Sequence, residues 1–346
     1  MRGAIQYGDV VRFRMFSKIV YLVVGPEELK HVLQDNPKNY IKGFGYDKME
    51  PVLGKGLLTS EGDFWRRQRK LSQPAFHRQR LVDFSSKMVA ATERMMKRWE
   101  KFADTNETVD VSAEMMRLTM EIVGLTLLST DVTSHADSVG SSLSTLLEEA
   151  NRRITSIFRL SEHLPTPEGI KFKRAKILLD EVVLGMIRER RRTGEDKGDL
   201  LSMLMAARDE DTGEQMTDAQ LRDEVMTIFL AGHETTANAM AWTWYLLSKN
   251  PMVASKVHEE VDAALIESGS VARLPEFGDL PKLNYTMRVI EESMRLYPPA
   301  WIFSREAVGA DTVGGYSIKP GNILIISPYV IHRNTKYWSN PEGFDP

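Results

Sequence analysis

Not one cysteine occurs among the 346 residues of this chain, which excludes a disulfide framework of the kind that holds small secreted domains together. Also missing is any apolar run of the roughly 20 residues needed to cross a bilayer, and Met1-Arg2-Gly3 opens no secretory signal. With Met1 as the start, the expectation is a cytoplasmic protein; the alternative is a membrane anchor ahead of the sequence given. A large excess of one charge is absent too. The net charge is −3, with 42% hydrophobic and 27% charged residues, which excludes both a disordered chain and a nucleic-acid-coating one. No internal repeat is visible. What remains is length enough for a large buried core, read as one domain over residues 1–346.

The pattern that is present reads as mainly α with a small β-rich edge. Helical periodicity runs from Leu81 to Trp99, Ser112 to Leu128 and Phe172 to Arg191. The longest helix is expected at about 218–249. It opens on a capping box, Thr217 with Gln220, and stops at Asn250-Pro251. Between them Leu221, Val225, Ile228, Phe229, Ala239, Trp242 and Leu246 recur at helical spacing over roughly 45 Å. The β-rich edge is expected over 7–24 and 312–330. Val10 to Met15 and Ile19 to Val24 read as strands, followed by a helix opening at Gly25-Pro26-Glu27-Glu28. Gly314 to Ile326 reads as a hairpin turning at Lys319-Pro320-Gly321. Lys42 to Leu53 and Ile154 to Gly169 show no clear period.

Three constellations carry chemistry. Ala231-Gly232-His233-Glu234-Thr235-Thr236 places a glycine, a carboxylate and two hydroxyls in the middle of the long apolar helix. Interior Gly232 costs about 1 kcal/mol relative to alanine, and Thr235 and Thr236 can turn their hydroxyls onto the carbonyls of Ala231 and Gly232. Either a flat ligand approaches the backbone at Gly232, or the glycine is a helix–helix contact. A zinc site at His233-Glu234 is a poorer rival, because the residue four after His233 is Ala237 and the second ligand is missing. Glu292 and Arg295, three apart, share one helix face before Pro298-Pro299. Trp65 and Arg69, four apart, present an indole N–H and a guanidinium together, as an anionic group requires.

In this order and spacing the three motifs resemble the cytochrome P450 family of haem-thiolate monooxygenases. The resemblance extends to Tyr7-Gly8-Asp9-Val10-Val11, to Leu53 through Gly62, and to His332-Arg333-Asn334 with Asn340 through Pro346. It implies the P450 fold and haem b (iron protoporphyrin IX) as cofactor. It also implies insertion of one oxygen atom from O2 into a hydrophobic small molecule, by hydroxylation or epoxidation. Electrons would come from NAD(P)H through a flavoprotein, ferredoxin or flavodoxin, and the protein would be a monomer. Position by position, the resemblance gives Glu234 a place in proton relay and Thr235 a hydrogen bond to bound oxygen. Ala231 and Gly232 leave room for O2, Trp65, Arg69 and Arg305 bind the haem propionates, His332 lies near the haem edge, and Glu292 with Arg295 is structural. Lys42 to Leu53 and Ile154 to Gly169 correspond to a loop over the pocket and a mobile lid.

One departure accompanies the resemblance. The family's iron ligand is a cysteine thiolate in a loop downstream of Asn340 to Pro346, and this chain has none. The expectation is therefore a P450 fold incomplete at both ends, with no metal ligand and no activity from these 346 residues alone. A non-catalytic helical binder of hydrophobic ligands and a nonfunctional fragment are the alternatives. Finally, Arg66, Arg67, Arg69, Lys70, Arg78 and Arg80 leave a positive surplus between residues 66 and 80, expected to attract an acidic redox partner.

Overall fold

The computed structural model describes residues 7–15, 17–130, 136–155, 166–266 and 272–346. From the N-terminus these form β1 (Val10–Met15), β2 (Lys18–Val23), α1 (Pro26–Lys30), β3 (Tyr40–Lys42), α2 (Tyr46–Leu53), α3 (Gly62–Ser72), α4 (Arg78–Thr105), α5 (Val111–Leu127) and α6 (Ala136–Thr155). There follow α7 (Pro167–Thr193), α8 (Leu200–Ala206), α9 (Asp218–Lys249), α10 (Pro251–Leu265) and α11 (Asn284–Leu296). The chain continues through β4 (Phe303–Ala307), β5 (Asp311–Val313), β6 (Tyr316–Ile318), β7 (Ile323–Ile326) and α12 (Pro328–Ile331). The fold is mainly helical with a small β region. Packing divides it into two compact units, Met1–Phe44 with Ala239–Ala272 and Pro281–Pro346, and Gly45–Asn238 with Arg273–Leu280.

The first unit holds the strands. Its five-stranded sheet has the order β1-β2-β7-β4-β3, antiparallel except for the parallel pair β2 and β7. Val10, Tyr21, Val23, Leu324 and Ile326 form its core, as alternating strand residues on a covered face do. The hairpin expected at Lys319-Pro320-Gly321 forms elsewhere. β5 and β6 pair as a separate ribbon, Val313 opposite Tyr316, and the turn is Gly314-Gly315. Both glycines have positive φ, +54° and +78°, as a two-residue turn between right-twisted strands requires. Lys319 to Gly321 only carries the chain from this ribbon to β7 in the larger sheet.

The second unit is helical, its core drawn from α2, α5, α7, α8 and the first part of α9. The expected limits of the long helix hold. Thr217 N–H donates to Gln220 Oε1 (2.8 Å) and Gln220 N–H to Thr217 Oγ1 (3.2 Å), so two N–H groups of the first turn are satisfied reciprocally. The far end stops at Lys249, and Pro251 opens the next helix. Tyr46–Leu53 is helical although no period was visible there. Gly45 and Gly54, both at positive φ, delimit eight residues of which only Val52 and Leu53 are buried, too few to show an apolar stripe. Of the aperiodic stretch Ile154 to Gly169, residues 156–165 lie outside the described residues, and Pro167 starts α7 with Thr166 as its cap.

Candidate functional site

The middle of α9 departs from the packing on either side of it. Val225, Met226, Phe229, Leu230 and Ala237 are buried, yet Ala231, Thr235 and Thr236 are exposed. The Thr235 hydroxyl donates to the Ala231 carbonyl one turn back, which fixes its rotamer and leaves its oxygen free to accept. Glu234 is half-buried and has no hydrogen-bond or ion-pair partner among the described residues. One helix turn thus presents a small residue, a hydroxyl and an uncommitted carboxylate.

Gly232 and His233 face α5 instead. A Cβ at Gly232 would lie 3.3 Å from Val123 Cγ2, so the missing side chain serves a helix–helix contact. His233 is 4% exposed, and its Nε2 sits 3.0 Å from the Met116 carbonyl, where it must donate. Burial holds this imidazole below its ordinary pKa, the Met116 bond opposing. The two central residues of the motif therefore carry packing, and the residues flanking them carry the exposed chemistry.

Helix α3 is joined to the start of α9 by polar groups. Gln68 Nε2 donates to Glu224 Oε1 (3.3 Å), and both residues are fully buried. The loop before α3 closes on the same place: Leu57 N–H donates to Glu224 Oε2 (3.1 Å) and Lys55 N–H to Asp223 Oδ2 (2.8 Å). Gly56 permits this, because a Cβ there would lie 2.0 Å from Thr227 Oγ1. On α3 itself Trp65 is half-buried, and Arg69 is exposed with no partner among the described residues.

The positive surplus on α3 is largely committed. Arg66 pairs with Asp63 on its own helix. Arg67 reaches Asp209 and Glu214, each at 3.4 Å, and Lys70 reaches Glu210 at 2.8 Å and Asp211 at 3.8 Å. An acidic turn far away in sequence thus supplies counter-charges that composition around α3 could not reveal. The available signal was the run Asp209-Glu210-Asp211-Thr212-Gly213-Glu214 itself. Of the six basic residues, Arg69 and Arg80 have no partner among the described residues; the Arg78 side chain lies outside them.

In the strand-bearing unit, Arg295 on α11 uses all five N–H groups. Nε and one Nη2 proton go to Glu292 at 2.6 and 2.7 Å, and the rest go to the carbonyls of His332, Pro341 and Gly343 at 2.9, 2.8 and 2.7 Å. His332 returns the contact, its Nδ1 3.2 Å from the Arg295 carbonyl, and burial keeps this ring below the usual histidine pKa. Its place is in the knot around Arg295. Arg305 on β4 is half-buried, donates from Nη1 to the Ser304 carbonyl (3.0 Å) and lies over the Phe303 ring (5.3 Å). No carboxylate pairs with it among the described residues.

Comparison with known proteins identifies the family. The family model for Cytochrome P450 matches residues 4–346. Cyclooctatin synthase of Streptomyces melanosporofaciens is 37% identical over 342 residues, 98% of this chain and 72% of that protein. Cyclooctat-9-en-7-ol 5-monooxygenase of the same organism is 36% identical over 341 residues, covering 98% and 72%. Pentalenene oxygenase of Streptomyces avermitilis is 33% identical over 341 residues, covering 98% and 74%.

Proposed function

This chain belongs to the cytochrome P450 family, and we propose that its substrate is an apolar cyclic alkene or alkenol oxidised beside Ala231, Glu234 and Thr235 of α9. The activity class follows from the family and its named relatives: a haem-iron monooxygenase that places one oxygen atom from O2 into a hydrophobic molecule, with electrons from a redox partner. The substrate reading extends the names of two relatives, cyclooctat-9-en-7-ol 5-monooxygenase and pentalenene oxygenase, to this protein. The observation that carries it is the turn of α9 in which an exposed methyl group, an exposed hydroxyl and a half-buried carboxylate with no partner among the described residues sit together on an apolar helix.

The residues present suit haem. Arg69 on α3 and, separately, Arg305 on β4 are guanidinium groups with no carboxylate partner among the described residues, and Trp65 on α3 carries an indole N–H, each a donor of the kind a propionate needs. We assign each of the three to propionate binding and take haem b as the form. When bound, the cofactor supplies the reductive activation of O2. Around it, Ala231 keeps the exposed face of α9 low, and Thr235 Oγ1 holds a proton at the end of the hydrogen bond to the Ala231 carbonyl. Glu234, half-buried and uncommitted, can give up and regain a proton without breaking an ion pair. Glu292 and Arg295 brace α11 against the segment that follows α12. NAD(P)H as electron source, an acidic ferredoxin, flavodoxin or flavoprotein meeting α3, and a monomeric state complete the proposal.

The test is turnover of the haem-loaded enzyme completed with a cysteine-bearing haem loop, given a ferredoxin system, NADPH and 18O2, on a panel of cyclic alkenes and their saturated counterparts. Products carrying one 18O from the alkenes support the reading. Oxidation confined to polar or acyclic compounds would overturn the substrate class.

A further inference from the structure

The acidic turn that neutralises α3 is built as a rigid part. Asp209 N–H donates to the Glu214 carbonyl and Gly213 N–H to the Asp209 carbonyl, both at 2.8 Å. Asp209 Oδ1 accepts from the N–H groups of Asp211 (3.1 Å) and Thr212 (2.9 Å) and from the Thr212 hydroxyl (3.2 Å). These bonds make Asp209 the frame of the turn, and they aim Glu210, Asp211 and Glu214 outward. The three outward carboxylates are 78, 87 and 72% exposed, yet each lies within ion-pair distance of Lys70 or Arg67. Beside the contact lies a half-open pocket of about 320 Å³, lined by Leu71, Pro74 and Met203 together with Lys70, Asp209 and Glu210.

Arg67 also meets Asp209 at 3.4 Å in a more sheltered pair, 23 and 8% exposed. The weak, solvated attachment is therefore that of the outward carboxylates to Lys70 and to the outer side of Arg67, and these contacts are what a displaceable cover needs to yield. Exposed ion pairs typically hold by less than about 1 kcal/mol each and are screened by salt, so an external anionic surface can compete with them. Resting on the reading that an acidic electron donor meets α3, we propose that the Asp209–Glu214 turn is a built-in competitor for that donor. It occupies Arg67 and Lys70 in the free protein and is displaced on docking. The donor then binds only the fraction of molecules with the turn released, which lowers its apparent affinity by that fraction.

The experiment titrates haem-loaded protein with an acidic [2Fe–2S] ferredoxin and measures Kd against ionic strength. The turn variant combines Glu210→Gln, Asp211→Asn and Glu214→Gln, leaving Asp209 to frame the turn. The helix variant combines Arg67→Gln and Lys70→Gln. A charge control combines Glu100→Gln, Asp104→Asn and Glu107→Gln, three exposed acids at the end of α4 and just beyond it. The turn variant should bind about three- to tenfold tighter at low salt, the gain vanishing at high salt and in the helix-variant background. Amide exchange at residues 209–214 should quicken when ferredoxin is added to the unmodified protein. If the helix variant weakens binding while the turn variant does not tighten it, or tightens it no more than the control, α3 is the docking face and the turn is no competitor. If neither variant changes Kd or its salt dependence, the docking reading fails and this inference fails with it.

Discussion

Glu292 and Arg295 meet as a bidentate pair on one face of α11, and the same guanidinium holds three carbonyls from the segment after α12. Arg295 is 6% exposed, so its charge is compensated almost wholly by these acceptors. Arg295→Lys keeps the charge but offers three N–H groups where five are used. It should lower stability by about 1–3 kcal/mol, the cost of leaving buried carbonyls without a donor, read from urea denaturation midpoints. Glu292→Gln should cost more, about 3–5 kcal/mol, because it leaves the buried guanidinium without its counter-charge. A larger loss for Arg295→Lys would place the stabilisation in the carbonyl contacts and not in the ion pair.

A second polar knot, around Asp311, gives the strand-bearing unit an expected acid sensitivity. Asp311 Oδ2 accepts from Tyr40 OH (2.6 Å) and Asn36 Nδ2 (3.1 Å) and meets His31 Nε2 at 2.9 Å. Burial pushes this carboxyl up, but those donors outweigh it and hold it down at about 2. A folded pKa below the unfolded value of about 3.9 contributes stability that is complete above that value and is lost as pH falls toward 2. The amount is on the order of 1 kcal/mol once solvent screening is allowed for. Asp311→Asn should remove this slope between pH 4 and 2 from the stability profile while leaving the profile above pH 5 parallel. An unchanged acid limb would assign the sensitivity to other groups.

Thr235→Ala separates proton handling from substrate binding. The side chain is exposed and its hydroxyl bonds only to the Ala231 carbonyl, so its loss should leave stability and substrate Kd nearly unchanged. In the enzyme completed with its cysteine-bearing haem loop, product formed per NADPH should fall, with peroxide making up the difference, and Thr235→Ser should restore coupling. A positioned proton-transfer group is typically worth 10²- to 10⁴-fold, so the loss of product can be large. Full coupling in the alanine variant would remove Thr235 from the oxygen chemistry.

How much was legible in the sequence depended on whether the deciding partner was local. The limits of α9 could be read because Thr217–Gln220 and Asn250-Pro251 are complete signals within a few residues. The pairing of Glu292 with Arg295 could be read for the same reason, though the three carbonyls that make it matter lie 37 to 48 positions further on. The turn at Lys319-Pro320-Gly321 was misassigned because Pro-Gly signals a turn without saying which strands it joins. Only the parallel pairing of β7 with β2, some 300 residues earlier in sequence, decides that. The surplus on α3 looked free because its counter-charges arrive from a turn about 140 positions downstream.

Gly232 offers the sharpest test of that limit, since its sequence context pointed to a ligand and its geometry points to Val123. A Cβ placed 3.3 Å from Val123 Cγ2 is tight but not prohibitive, needing a shift of a few tenths of an ångström. Against that strain, replacing an interior helical glycine by alanine returns about 1 kcal/mol of helix propensity. Gly232→Ala should therefore be close to neutral in stability, and combined with Val123→Ala, which removes the opposing methyl groups, it should gain back part of the cost of that cavity. Gly232→Val overfills the contact and should cost about 1–3 kcal/mol. Non-additivity between positions 232 and 123 in urea denaturation is the signature of a helix–helix contact. Gly232→Ala that abolished haem uptake while leaving stability and the coupling to Val123 at zero would instead show the glycine facing the ligand.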